Sequence, residues 1–103
     1  MAAFLDRNRG LSKVTVIDNS VIGTLLCGHD GRRGYLYHLL VDRRFRRNGI
    51  GKQMVELCLD DLGELGIQKC HLFIFTRNRD GKEFWKASGW DRRADIEVFS
   101  KGL

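Results

Sequence analysis

RRNGIGKQMV, residues 46–55, joins a β-rich segment to a helical pattern and carries glycines at positions 49 and 51. Glycine weakens a helix, so two glycines at a helix start indicate that something approaches the backbone closely. The amides of the first helical turn have no partner within the helix, and the helix dipole adds about half a positive charge there. Arg46, Arg47 and Lys52 bring full charges to the same point. The stretch therefore predicts an anion site, with phosphate or pyrophosphate as the natural ligand.

The helix that follows is predicted to begin near Gly49 and to end at Gly66, a residue type that commonly follows a helix. Apolar residues recur at three- and four-residue steps, while charged and amide residues fill the other face. The apolar positions are Ile50, Met54, Val55, Cys58, Leu62 and Leu65.

Three strands are predicted before this helix. KVTVI (13–17) and VIGTLLC (21–27) flank the turn residues 18–20 and predict a hairpin. YLYHLLV (35–41) follows a turn with three glycines and predicts a third, antiparallel strand. Residues 1–12 indicate a short helix or loop that Gly10 ends.

The rest of the chain predicts a strand, a helix and a strand. IQKCHLFIFT (67–76) is the most apolar segment and is predicted as the central strand. A helix is expected from a cap at Asp80 to about Ser88, and IEVFS (96–100) is expected to close the sheet as an edge strand. The order β-β-β-α-β-α-β predicts an α/β fold with a mixed sheet, in a single domain over residues 1–103.

Composition favours a cytoplasmic protein. The net charge of +5 agrees with a partner that bears phosphate. The three cysteines are widely spaced within apolar runs, which is typical of reduced, buried thiols rather than of disulfides, and without a C-x-x-C pair no metal site is expected. The N-terminus lacks an apolar signal core, and no run of about 18 apolar residues exists, so no membrane contact is expected.

Two common phosphate loops do not match. A Walker loop needs Ser or Thr after Gly-Lys, but Gln53 follows Lys52. The dinucleotide fingerprint fails at its third glycine, which is Met54. A tight strand–helix turn without a ligand remains the structural alternative.

The segment 46–51 (RRNGIG) follows the pattern R-x-x-G-x-G and resembles the acetyl-coenzyme A loop of the GNAT superfamily of N-acetyltransferases. Many members carry a second motif, N-x-x-A-x-x-F-Y-x-K-x-G-F, and residues 78–90 here read NRDGKEFWKASGW. Both motifs occur in the right order, on the right predicted elements and at the right separation. The resemblance covers residues 11–103, and by it the chain is an N-terminally shortened member, without the usual first strand and two helices.

The resemblance implies acetyl-coenzyme A as co-substrate, with its pyrophosphate on the loop and the start of the helix. It also implies that the third strand separates from its parallel neighbour, pairs with the pantetheine arm, and places a backbone amide near the thioester oxygen. The coenzyme-binding residues implied are Leu39, Leu40, Val41, Arg46, Arg47, Asn48, Gly49, Ile50, Gly51, Lys52, Asn78 and Trp85.

The implied reaction is attack of an uncharged amine on the acetyl thioester, which needs a base for the ammonium and an acid for the thiolate. Many members use a tyrosine as the acid where this chain has Trp85, which has no acidic hydrogen. His38, beside the proposed thioester, is the leading catalytic candidate because histidine titrates near neutral pH. Tyr35 is the second candidate. For both residues, packing in the sheet remains the alternative.

The acceptor is expected to be an amine of a small molecule or a peptide, and a homodimer is expected to supply the missing wall of the site. Two other interpretations stay open. The chain could bind coenzyme A without turnover, which the absent N-terminal elements and Trp85 favour. A small basic nucleic-acid-binding module would need Phe73 and Phe75 on an open sheet face, whereas the apolar run around them predicts that helices cover them.

Overall fold

A computed structural model of the protein describes residues 2–103. Met1, the first residue of the predicted N-terminal segment, lies outside the described residues. The chain divides into two compact units, one that extends to Phe73 and one that comprises Ile74–Leu103. Of the helix or loop expected in residues 1–12, the structure has a helix, α1 (Ala2–Arg7), which ends before Gly10.

The first unit contains a four-stranded sheet. Its strands lie in the order of the chain: β1 (Lys13–Ile17), β2 (Ser20–His29), β3 (Gly34–Val41) and β4 (Cys70–Leu72). β1, β2 and β3 are antiparallel to their neighbours, and β4 is parallel to β3. The α/β class and the mixed sheet predicted from the sequence are therefore confirmed.

The hairpin between β1 and β2 has the predicted two-strand form. Asp18 and Asn19 form its turn with φ angles of 50° and 64°. Two successive positive φ angles are those of a type I′ turn, whose twist matches that of the flanking strands, and Asn and Asp tolerate them better than most residues.

The helix α2 (Ile50–Glu64) packs on β2 and β3. A Cβ on Gly23 would lie 3.0 Å from Met54, and one on Gly34 would lie 2.6 Å from Leu62, so the helix runs from the Gly23 end of the sheet to the Gly34 end. Leu65 is 57% exposed and does not belong to the apolar face predicted for it. The buried residues of α2 are Gly51, Met54, Val55, Cys58 and Leu62.

The prediction of a central strand at 67–76 is wrong. β4 covers only Cys70–Leu72 and is an edge of the sheet in the described residues. A central strand needs a neighbour on both sides, and the segment expected to supply the second one, 96–100, is not among the four paired strands. Its residues Val98 and Phe99 are 67% and 90% exposed. Strand propensity reflects how well a residue fits a half-buried sheet. A segment of high propensity forms no ladder when no neighbouring strand pairs with it.

The second unit contains α3 (Arg79–Ala87). Its cap is Asn78 and not Asp80, because the side-chain oxygen Oδ1 of Asn78 accepts a hydrogen bond from the Gly81 amide at 2.9 Å. Asp80 instead lies in the first turn, where its charge complements the helix dipole. None of the helices in residues 2–103 has the length and apolar character needed to cross a bilayer.

Candidate active site

The loop between β3 and α2 adopts a conformation that exposes backbone amides. Asp42 accepts a hydrogen bond from the Arg44 amide and caps a short 3-10 turn, Arg43–Phe45. Further along the loop, Arg47 and Gly49 have left-handed backbones, with φ angles of 67° and 78°. A Cβ on Gly49 would meet nothing within 4 Å, so the backbone angle, and not space, makes glycine the favoured residue there.

The start of α2 has no internal partner for its first amides. Gly49 is the cap residue and has no side chain to accept a hydrogen bond. The first α-helical hydrogen bond of α2 runs from the Gln53 amide to the Gly49 carbonyl oxygen at 2.9 Å. The amides of residues 50–52 therefore point out of the helix end. Together with the helix dipole they favour the binding of an anion, and the anion site stays a prediction.

The cations around this helix start are mostly unpaired. In residues 2–103, Arg43, Arg47 and Lys52 make no ion pair, whereas Arg44 binds Asp42 at 3.2 Å. Arg44 holds the pKa of the Asp42 carboxyl below its ordinary value by hydrogen bonding and charge. The Arg44–Asp42 pair therefore adds little net positive charge, and the unpaired cations supply most of it.

Arg46 makes a contact with the preceding strand that the motif does not reveal. Its Nε donates a hydrogen bond to the Val41 carbonyl oxygen at 3.0 Å. The Asn48 side chain donates to the Phe45 carbonyl oxygen at 3.3 Å. These two bonds fasten the loop to the end of β3 and to itself, so Arg46 positions the loop as well as carrying a charge.

The outer edge of β3 is free where the resemblance places the pantetheine arm. Pairing with β4 covers only three residue pairs and ends at Leu36↔Leu72. The Asp42 amide bonds to the Ile22 carbonyl oxygen on the β2 side. Because backbone groups alternate along a strand, those of Leu39 and Val41 face the free edge. Beyond Leu36 the strand therefore has no strand partner on this side in residues 2–103, and the Val41 carbonyl oxygen at its end accepts the bond from Arg46.

A bulge turns the backbone at the head of this free edge. Thr24 pairs with Leu40 and Leu26 pairs with Tyr37, so His38 and Leu39 oppose a single residue of β2. His38 has φ of 53° and an exposed side chain. A left-handed non-glycine residue costs about 1–3 kcal/mol, and such strain concentrates at functional sites.

Tyr35 does not share the position of His38. Its ring is half-buried on the face of the sheet opposite α2 and stacks beside Tyr37, with ring centroids 6.3 Å apart. His38 and Tyr35 therefore lie on one strand, but only His38 is exposed at the bulge. Their catalytic roles stay predictions.

The two other coenzyme candidates lie in the second unit. Asn78 uses its side-chain oxygen to cap α3. Trp85 packs edge-on against Phe84 and Trp90, with ring centroids at 4.9 Å and 5.1 Å. Their contacts with the coenzyme also stay predictions.

The expectation that helices cover Phe73 and Phe75 is wrong. The two side chains are 60% and 72% exposed, and the Arg77 guanidinium lies 4.9 Å from the centre of the Phe75 ring. The apolar run misled because β4 ends at Leu72, so the residues after it are not in the sheet.

Residues 2–103 contain no group of three or more His, Cys, Asp or Glu side chains able to hold a metal ion.

Sequence patterns missed the features that shape the site. The glycines predicted the loop, but no local sequence pattern indicates the left-handed angles of His38 and Arg47 or the Arg46–Val41 bond. The turn cap at Asp42 does have a local sequence signal, because an aspartate directly after a strand is a common cap for a following turn.

Comparison with known proteins agrees with this geometry. The sequence profile of the acetyltransferase (GNAT) family matches residues 1–90. The acetyltransferase ECA0875 of Pectobacterium atrosepticum is 30% identical over 74 residues, which are 72% of this chain and 52% of that protein. The acetyltransferase plu1384 of Photorhabdus laumondii is 30% identical over 101 residues, 96% of this chain and 70% of that protein. The chain thus spans about half the length of the first relative and more of the second.

Solved structures show the same fold. The aminoglycoside N-acetyltransferase AAC(6')-Iy, solved in complex with CoA, superposes with a TM-score of 0.84 over 99% of this chain and 83% of that chain, at 16% identity. Ard1 from Thermoplasma volcanium superposes with a TM-score of 0.82 over 90% of this chain and 64% of that chain, at 22% identity. The family match and the fold together define an acetyltransferase-type domain. The chain belongs to the GNAT acetyltransferase family.

Proposed function

We propose that the protein is an acetyl-coenzyme A-dependent N-acetyltransferase that acts on a primary amine. The observation that carries the proposal is the free edge of β3 at residues 39–41, which ends beside the uncapped start of α2. A long ligand with an anionic middle and an amide-bearing arm fits these two neighbouring features. Family membership agrees with this ligand.

The residues present fit the coenzyme. The amides of residues 50–52 would bind its pyrophosphate, with Arg47 and Lys52 providing positive charge. The backbone groups of Leu39 and the amide of Val41 would pair with the pantetheine arm, since the Val41 carbonyl oxygen accepts a bond from Arg46. When bound, acetyl-coenzyme A supplies an activated acetyl thioester, which is the chemistry that amino-acid side chains lack.

The chain's own groups would then handle charge and protons. A backbone amide on the free edge of β3 would donate a hydrogen bond to the thioester oxygen as negative charge develops there. His38, exposed at the bulge, would take a proton from the acceptor ammonium, directly or through water. Trp85 has no proton to give, so the departing sulfur would take its proton from water or from Tyr35.

We also propose a cytoplasmic location and a homodimer.

Thermal unfolding tests the coenzyme half of this proposal. Acetyl-coenzyme A or coenzyme A at a hundredfold excess over its dissociation constant should stabilise the protein by about 2–3 kcal/mol. Single-stranded RNA serves as the third ligand and should give no comparable shift. The absence of a shift with either coenzyme form would contradict the proposal, and a shift with RNA alone would favour a nucleic-acid-binding module.

Gly51→Val and Gly63→Val form a matched pair for the same assay. Gly51 is buried in the first turn of α2, so we expect a valine side chain there to displace the helix start that carries the free amides. Gly63 lies in the last turn, where a Cβ would meet nothing within 4 Å. We expect only Gly51→Val to abolish the coenzyme shift. If circular dichroism shows that Gly51→Val is unfolded, Lys52→Glu, at an exposed position, places a negative charge beside the same amides.

A second candidate function is coenzyme A binding without turnover, which Trp85 favours. An amine panel, with release of the free thiol as the readout, distinguishes the two functions. A coenzyme shift together with thiol release supports the transferase, and a shift without release from any amine supports the second candidate.

A further inference from the structure

Three aromatic rings form a row on the face of the sheet opposite α2. A Cβ on Gly34 would meet Leu62 of α2, so by strand alternation Tyr35 and Tyr37 face the other way. The Tyr35 ring lies beside Tyr37 and beside Phe73, with centroids 6.3 Å apart in both cases and interplanar angles of 20° and 18°. We call Tyr37, Tyr35 and Phe73 the ring row.

Neighbouring residues limit the ring row at both ends. Phe4 of α1 meets Tyr37 edge-on, at 5.5 Å and 88°. His71 lies 5.9 Å from Tyr35 on the β4 side. Phe73 is 60% exposed, whereas Tyr35 and Tyr37 are half-buried. The row therefore has an open side, and its Tyr37 end is followed directly by the bulge residue His38.

The ring row carries no charged side chain. The carboxylate whose charge is felt at Tyr37 is that of Asp30, and Asp30 already accepts hydrogen bonds from the amides of Arg32 and Arg33 at 2.8 Å. Burial is the larger reason that the pKa of Tyr37 is raised. Asp6 of α1, the helix whose Phe4 meets Tyr37, is exposed. With a formal net charge of +5, the protein repels a ligand that carries several positive charges.

We propose that the acceptor is a primary amine with a single positive charge and a flat aromatic body, which lies on the ring row with its amine toward His38. This rests on the proposed transferase function. Aromatic side chains bind flat rings through offset stacking and edge contacts, and they require no charge to do so. The amine nitrogen forms the new C–N bond as the C–S bond breaks. The ammonium first loses one proton to His38 and from there to water, and the second proton that the nitrogen loses ends on the departing sulfur through water, so atoms and charge balance.

Three amines of matched design test the proposal by calorimetric titration of the protein in the presence of coenzyme A. 2-Phenylethylamine and 2-cyclohexylethylamine have the same charge and chain, and differ in the aromaticity of the ring. Spermidine carries three positive charges. We expect 2-phenylethylamine to bind most tightly, by about threefold or more over the saturated amine.

Substitutions locate the binding to the ring row. Phe73→Leu should remove about threefold of the preference for the aromatic ring, and Phe73→Tyr should keep it. Phe99→Leu is the control, because Phe99 is 90% exposed and outside the row. Equal or tighter binding of spermidine, no preference for the aromatic ring, no effect of Phe73→Leu, or no binding of any amine would each overturn the proposal. The coenzyme shift is read separately, so its loss contradicts the transferase function, whereas its persistence without amine binding contradicts only the acceptor proposal.

Discussion

At the scale of single residues, the site depends on strained backbone angles. His38 and Arg47 adopt φ angles of 53° and 67°, which cost non-glycine residues about 1–3 kcal/mol each. The angle at His38 belongs to the bulge at the head of the free edge of β3. The angle at Arg47 turns the loop toward α2. Their side chains are exposed, so neither residue is held in place by burial. We infer that the loop and the strand pairing around them enforce the strain.

Replacing Arg47 with glycine should separate stability from binding. Glycine relieves the left-handed strain but increases the entropy of the unfolded chain, so the free energy of unfolding should stay unchanged or rise by up to about 1 kcal/mol. Coenzyme affinity should fall, because a cation beside the pyrophosphate site is lost. Urea unfolding and the coenzyme-induced thermal shift measure the two effects.

Arg43→Gly is the control for this substitution. Arg43 is an exposed arginine in the same loop, but it is not among the residues with positive φ. The change there should lower the free energy of unfolding by about 0.5–1 kcal/mol, since no strain is relieved. A larger loss of stability in Arg47→Gly than in Arg43→Gly would contradict this account.

At the scale of elements, β3 and α2 carry the site and β1 holds α2 in place. The Lys13 ammonium of β1 forms an ion pair with the Asp61 carboxylate of α2. The Cys58 thiol of α2 contacts the Leu11 carbonyl oxygen just before β1. Asp61 and Cys58 belong to the second half of α2, so these contacts fix the helix at the end away from the anion site. The free amides at its start are left for a ligand.

The Lys13–Asp61 pair should make stability depend on alkaline pH. The hydrogen bond from Lys13 to Asp61 is the main reason that the pKa of Lys13 is raised above its ordinary value of 10.5. Because the pKa of Lys13 is higher in the folded than in the unfolded protein, the ion pair stabilises the fold fully at pH values below the unfolded pKa of 10.5. This stabilisation is lost as the pH rises through the folded pKa. The pair is partly exposed, so we expect a contribution of about 0.5–1 kcal/mol.

Lys13→Met isolates this contribution, because methionine keeps an apolar side chain of similar length. The difference in urea-unfolding free energy between the wild type and Lys13→Met should be full at pH 8 and should shrink as pH exceeds about 10.5. A difference that grows with alkaline pH, or is absent at pH 8, would show that the pair does not act as described.

At the scale of the whole molecule, one edge of the sheet and several apolar side chains are open. In the described residues β1 pairs only with β2, so its outer edge is unpaired. Val14 and Val16 of β1 are 63% and 53% exposed, and Leu40 of β3 is 64% exposed. An exposed apolar edge strand favours pairing with another chain.

A homodimer that covers this edge should be seen by light scattering at micromolar concentration. Val16→Lys places a charge on the β1 edge and should shift the protein to a monomer without loss of secondary structure. Val98→Lys, at a position that is 67% exposed and outside the sheet, is the control and should leave the dimer intact. A wild-type monomer under these conditions would contradict the dimer.

The sequence by itself determined the local parts of this protein. The glycines of 46–55 predicted a helix start, and α2 begins at Ile50 with no side-chain cap. The anion predicted at this helix start stays a prediction. The Asp18–Asn19 turn, the three antiparallel strands and the second helix also followed from local patterns. Such patterns suffice because turn angles, helix ends and apolar periodicity depend on neighbours in the chain.

Only the tertiary structure decided where strands pair and where they stop. Pairing of β3 with β4 ends at Leu36, the strand predicted as central became a three-residue edge, and 96–100 found no partner. The His38 bulge and the ring row arise in the same way, because they depend on which residue lies opposite or beside another. Tyr35 and His71 are 36 residues apart in the chain but are paired in the sheet, and no local propensity predicts that pairing.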